Sequence, residues 1–131
     1  MARRASIAAC LAAAALAAGG CGSQGIQVPH DDPTRAGAVL FAAKCGSCHT
    51  IEAAGTQGST TKFVDKENVD GPNFDQRKEQ RDDILFAIAN GGFSGAIMPE
   101  NIATGREAEL IAEFLDKWSG SEASGSGATS G

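Results

Sequence analysis

Cys45-Gly46-Ser47-Cys48-His49 places two thiols three positions apart, with an imidazole directly behind the second. Residue types in that order suit covalent attachment of a c-type haem. Each thiol forms a thioether with one of the two vinyl groups on a haem edge, and the histidine turns under the ring to ligate the iron. One short segment thus fixes the macrocycle and supplies an axial ligand. Three other chemistries can be set against this one. A thioredoxin-like dithiol needs the pair at the start of a helix that follows a strand, and no alternating or β-branched run surrounds Cys45. A zinc site needs four ligands, yet beyond this cluster the chain left after removal of the N-terminal signal offers only His30 and Cys21, both in a polar leader. A disulfide across the two-residue gap would leave His49 without a role.

A six-coordinate iron needs a second axial group opposite His49. Besides Met1 the chain has one methionine, Met98, in Ala96-Ile97-Met98-Pro99. A lone methionine is usually core filling, but this one follows a glycine-rich approach (Gly91, Gly92, Gly95), and Pro99 stiffens the turn behind it. His30 is the rival ligand, set in the leader.

The elements that must position these groups are helical. Asp32-Pro33 pairs an N-cap with proline at the first helical position, and Ala36, Val39, Leu40 and Ala43 follow at helical spacing, delivering the chain to Cys45. Gly37 and Phe41 lie one turn apart on the same face. A glycine inside a helix costs about 1 kcal/mol relative to alanine, so Gly37 points to another backbone passing close by. A second helix is predicted over residues 80–89, with Ile84, Leu85 and Ile88 inward and Asn90-Gly91-Gly92 as its stop. A third begins at Thr104-Gly105-Arg106-Glu107, a capping-box pattern, and carries Leu110, Ile111, Phe114, Leu115 and Trp118 on one stripe. Phe114 or Trp118 is expected to cover Gly37 and Phe41. The rest reads as loop, with no strand longer than residues 62–64. The Gly-, Ser- and Thr-rich insert over 50–70 reads as a solvated loop.

The N-terminus reads as an export signal. Arg3 and Arg4 precede an apolar run from Ile7 to Ala18, too short for the roughly 20 residues a spanning helix needs. The segment Leu16-Ala17-Ala18-Gly19-Gly20-Cys21 resembles a bacterial lipoprotein signal, in which the cysteine is acylated; ordinary cleavage after Ala17 is the alternative. The expected organisation is a signal peptide over 1–20, a flexible tether over 21–33, a haem domain over 34–118 and a disordered Ser/Gly-rich tail over 119–131. A flexible stretch over 22–32 would reach about 18 Å. Formal net charge is −5, and loss of Arg3 and Arg4 leaves a still more acidic chain, which excludes nucleic acid as a partner.

Over residues 34–118 the chain resembles the class I monohaem cytochromes c. The matching residues are Gly37 and Phe41, Cys45-Gly46-Ser47-Cys48-His49, Gly71-Pro72-Asn73-Phe74, Met98-Pro99 and the aromatic C-terminal helix; Phe74 stands where leucine is common. The resemblance implies an all-α fold of three or so helices wrapped around one covalent haem c, with His49 and Met98 axial. It also implies that the Pro72 carbonyl accepts a hydrogen bond from the His49 ring nitrogen remote from iron. The expected function is that of a monomeric one-electron carrier, not an enzyme, exported and lipid-anchored through Cys21 at the outer face of the bacterial cytoplasmic membrane or in the periplasm. By resemblance its donor is a quinol-oxidising cytochrome bc-type complex, and its acceptor a terminal oxidase or a photosynthetic reaction centre. The alternatives are an open-site haem protein, a sensor or small peroxidase, in which Met98 is core, and a haem subunit of a larger oxidoreductase.

Overall fold

The computed structural model describes residues 25–59, 70–93 and 97–122. Within them, three helices and a minute hairpin enclose one apolar core: α1 (Arg35–Lys44), β1 (Thr50–Ile51), a 3-10 turn (Glu52–Ala54), β2 (Thr56–Gln57), α2 (Arg81–Asn90) and α3 (Gly105–Trp118). The architecture is the all-α arrangement expected, with helices supplying nearly all of the regular structure.

α1 and α3 form the central pair, and glycine permits their closeness. A Cβ built at Gly37 would fall 2.0 Å from the Leu110 carbonyl oxygen and 2.7 Å from Phe114 Cβ. It is Phe114, fully buried, that meets Phe41 here, at a ring separation of 5.7 Å. Trp118 instead caps the end of the pair, its Nε1 donating to Thr34 Oγ1 at 2.8 Å. α2 packs on the other flank of α3 through Ile84 and Ile88. It stops where Gly91 takes the left-handed conformation (φ 70°), which costs glycine little.

Several expectations move. α1 starts at Arg35, because Pro33 and Thr34 form a separate turn; the Asp32 carboxylate still accepts from the Thr34 amide at 2.8 Å. α2 spans Arg81–Asn90, one residue later than the sequence reading at each end. α3 begins after Thr104 as expected, but Thr104 makes no capping bond with its side chain. Glu107 is engaged elsewhere, 3.1 Å from Lys44 of α1. The insert over 50–70 is not a solvated loop in its first half. Thr50–Ile51 pairs antiparallel with Thr56–Gln57, and Ile51, Ala53 and Ala54 are buried; residues 60–69, including the short strand expected at 62–64, lie outside the described residues.

The chain expected to be tether and tail also joins the domain at both ends. Val28 is 1% exposed, and the Gln27 amide donates to the Ala53 carbonyl at 2.9 Å. Beyond α3, Ser119 Oγ accepts from the Glu79 amide at 2.9 Å and the Gly120 amide donates to Phe74. The packed unit therefore runs from about residue 25 to 122. Among the described residues no helix is long and apolar enough to cross a membrane.

Candidate haem site

Cys45 sits at the C-terminal cap of α1, its amide bonded back to the Phe41 carbonyl at 2.8 Å. Both the Cys48 and the His49 amides then turn back to the Cys45 carbonyl, at 3.1 and 3.0 Å. This tight turn brings two thiols and an imidazole to one place. The thiols are free, Cys45 buried and Cys48 partly exposed. Burial pushes the Cys45 thiol up to about 11. A reactive dithiol wants the opposite, a helix N-terminus and a depressed pKa, so the location at a helix end disfavours thioredoxin-like chemistry. Among the described residues no three His, Cys, Asp or Glu side chains converge as a metal-binding group.

The hairpin backs this turn. A Cβ at Gly58 would fall 2.4 Å from the Gly46 carbonyl oxygen, so backbone lies on backbone with no side chain between.

His49 is 9% exposed, and burial lowers its pKa, partly opposed by the Pro72 carbonyl. Its Nδ1 lies 3.1 Å from that carbonyl oxygen. A carbonyl can only accept, so Nδ1 carries the proton and Nε2 keeps a bare lone pair, which is the form a metal requires. The Pro72 segment is itself held, since the Gly71 amide donates to the Cys48 carbonyl at 2.8 Å and the Phe74 amide to the Thr50 carbonyl at 2.8 Å. A Cβ at Gly71 would fall 2.3 Å from His49 Cε1; only a bare backbone fits beside the ring.

Met98 arrives from the α2 side. It is half-buried and packs against the core. The backbone at Gly91 passes against its carbonyl, where an added Cβ would lie 2.6 Å away. The turn after it is pinned by the Asn101 amide, which donates to Ile88 at 2.9 Å. Asn101 adopts φ 53°, a conformation asparagine tolerates better than most residues. Cys21 lies outside the described residues. Two participants received no site role from sequence, Gly71 and Phe74; their signal was the Gly71-Pro72-Asn73-Phe74 run, whose glycine precedes the proline that faces His49.

Two free thiols and an imidazole with Nε2 bare form a donor set suited to a covalent c-type haem. Fold and site together define a class I monohaem c-type cytochrome, a haem-based electron-transfer protein. The family described as "Cytochrome C oxidase, cbb3-type, subunit III" matches residues 32–115, and the chain belongs to it. Searches of curated proteins and of solved structures found no match.

Proposed function

We propose that the chain is an exported, membrane-tethered one-electron carrier whose haem is attached through Cys45 and Cys48 and ligated by His49 and Met98. The observation that carries this is the His49–Pro72 contact, which fixes the tautomer with Nε2 available beside two free thiols. The haem supplies one centre that accepts and releases a single electron. Were His49 and Met98 both to hold the iron, no position would stay open to a substrate, and the haem would supply outer-sphere transfer of one electron. Met98 sulfur raises the potential relative to a second imidazole, and Pro72 strengthens His49 as a donor. Acylation at Cys21 would keep the domain beside its partners and raise its effective concentration there. Those partners are a quinol-oxidising cytochrome bc-type donor and a terminal oxidase or reaction-centre acceptor.

Charge supports a basic docking partner. Each described Lys and Arg is already engaged within the chain, by carboxylates at Lys44, Arg77, Arg81, Arg106 and Lys117 and by carbonyls at Arg35 and Lys78. The surplus is carboxylate. Transfer rates to a basic partner should fall as salt rises, and salt-independent rates would count against this docking mode.

The experiment that tests the ligation is the near-infrared spectrum of the oxidised, haem-loaded protein. The weak charge-transfer band of methionine sulfur on ferric haem should be present and should vanish in Met98→Ala. A high-spin spectrum in the unmodified protein would support the open-site reading.

The family description favours a second reading, a haem subunit that passes electrons within an oxidase. Affinity purification from solubilised membranes separates the two. Stoichiometric recovery with a haem-copper subunit supports the subunit, and recovery alone supports the shuttle.

A further inference from the structure

One hydrogen bond to the Pro72 carbonyl fixes His49 Nδ1 but does not by itself set the plane of the imidazole. Two neighbours do. The Phe74 ring lies nearly parallel to it, with centroids 4.8 Å apart and planes 13° from coincidence. The Gly71 backbone lies over the ring as well, since a Cβ there would come within 2.3, 2.5 and 2.7 Å of Cε1, Nδ1 and Nε2. A position that close to three consecutive ring atoms is above the face, not beyond the edge.

Phe74 is itself held on several sides. Its amide donates to Thr50, its carbonyl accepts from Gly120 at 2.7 Å, and it is 9% exposed. Its ring meets Phe41 edge-on (5.9 Å, 69°), and Phe41 meets Phe114 of α3. Aromatic pairs settle into offset-stacked or edge-to-face arrangements. Phe74 makes one of each, edge-on toward the helices and face-on toward the imidazole.

We propose that Phe74 is a positioning residue that sets the rotational orientation of the His49 imidazole about its bond to iron. The inference rests on His49 as an axial ligand. The imidazole π system lifts the degeneracy of the iron orbitals that hold the ferric unpaired electron, so the ring's angle contributes to the magnetic anisotropy of the oxidised protein. A ring held at one angle gives one narrow set of g values, and a ring free to librate gives a spread.

The test is frozen-solution electron paramagnetic resonance of the full haem-loaded chain, as wild type, Phe74→Leu and Phe74→Tyr. Leucine keeps the apolar bulk and loses the flat face; tyrosine keeps the face. The leucine variant should remain low-spin with g values that move and broaden, while the tyrosine variant keeps the wild-type pattern. Superimposable wild-type and leucine spectra would overturn the proposal, because a role in packing alone would lower the melting temperature without moving g. A broad g distribution in the wild type would overturn it too, and that measurement stands even where a variant folds poorly. A high-spin wild-type spectrum removes the premise, and its spin state marks the failure as one of ligation.

Discussion

Gly37 of α1 lies directly against Leu110 of α3, so closely that a methyl group at Gly37 would fall 2.0 Å from the Leu110 carbonyl oxygen. The obstacle is backbone, which cannot step aside as a side chain tip would. Gly37→Ala should therefore destabilise the folded domain by about 1–3 kcal/mol, the usual range for overpacking, despite alanine's better helix propensity. Denaturant unfolding of the haem-loaded protein measures this, and an unchanged midpoint would show that the helices can separate freely.

Gly71→Ala should act at the site while leaving the helices in place. The added methyl would press on His49 Cε1 and drive the ring from the Pro72 carbonyl. Loss of such a supporting contact weakens a metal–ligand bond about 10–100-fold. Haem should stay covalently attached while the low-spin fraction of the ferric spectrum falls; a wild-type spectrum would show that the Pro72 segment yields instead.

Asp75, buried beside the site, links three segments. Its carboxylate accepts from the Glu52 amide at 2.9 and 3.1 Å and from Ser121 Oγ at 3.4 Å. Asp75→Ala leaves the part-buried Glu52 amide without its acceptor, a loss of about 1 kcal/mol. Hydrogen exchange at the Glu52 amide should accelerate more than exchange in the middle of α3. Uniform acceleration would point to global loosening instead.

The ends of α1 and α3 are joined by a relay with its own pH dependence. Trp118 donates to Thr34 Oγ1, Thr34 donates to Asp32 at 2.6 Å, and Lys117 donates to the same carboxylate. The Lys117 bond, helped by Thr34, holds the Asp32 carboxyl at about 2, below its ordinary 3.8. A depressed carboxyl stabilises the fold fully above its unfolded value and loses that contribution as pH falls through the folded one. Asp32→Asn should thus melt below the wild type at pH 7, and the two curves should converge between pH 3.8 and 2. A gap that stays at its full pH 7 size at pH 2 would place the effect outside this ionisation.

Trp118→Phe keeps most of the ring's packing, and an aromatic face for the Lys117 ammonium above it, while removing the bond to Thr34. About 1 kcal/mol should be lost, visible as a lower denaturation midpoint with unchanged slope. Because Asp32 and Trp118 share Thr34, the double variant should cost less than the two single costs added together.

The helices were legible because their signals are local and repeated. Ile111, Phe114 and Leu115 recur at helical spacing and are all buried, and Gly91 ends α2 where a left-handed residue was needed. The Cys45–His49 cluster was legible from residue types alone, and Gly37 announced a close approach that proved to be Leu110. The hairpin was not legible, since strands of two residues hold no alternation to read. Its burial comes instead from contact with the turn behind Cys45 and with residues 25–28. The Thr104 capping box failed because Glu107 found Lys44, a partner distant in sequence. Ile26 and Val28 did leave a trace, two apolar residues at spacing two in a polar stretch, but too short to outweigh the composition around them.

The packing of residues 25–28 alters what an acyl group at Cys21 would mean. With Val28 buried and the Gln27 amide tied to Ala53, four steps of chain separate Cys21 from Gly25, about 14 Å even at full stretch. A leash of that length would leave the domain little room to move away from the lipid. Held so, the domain would stay close to the lipid surface, its travel confined to two dimensions, and a partner complex would meet it by lateral collision.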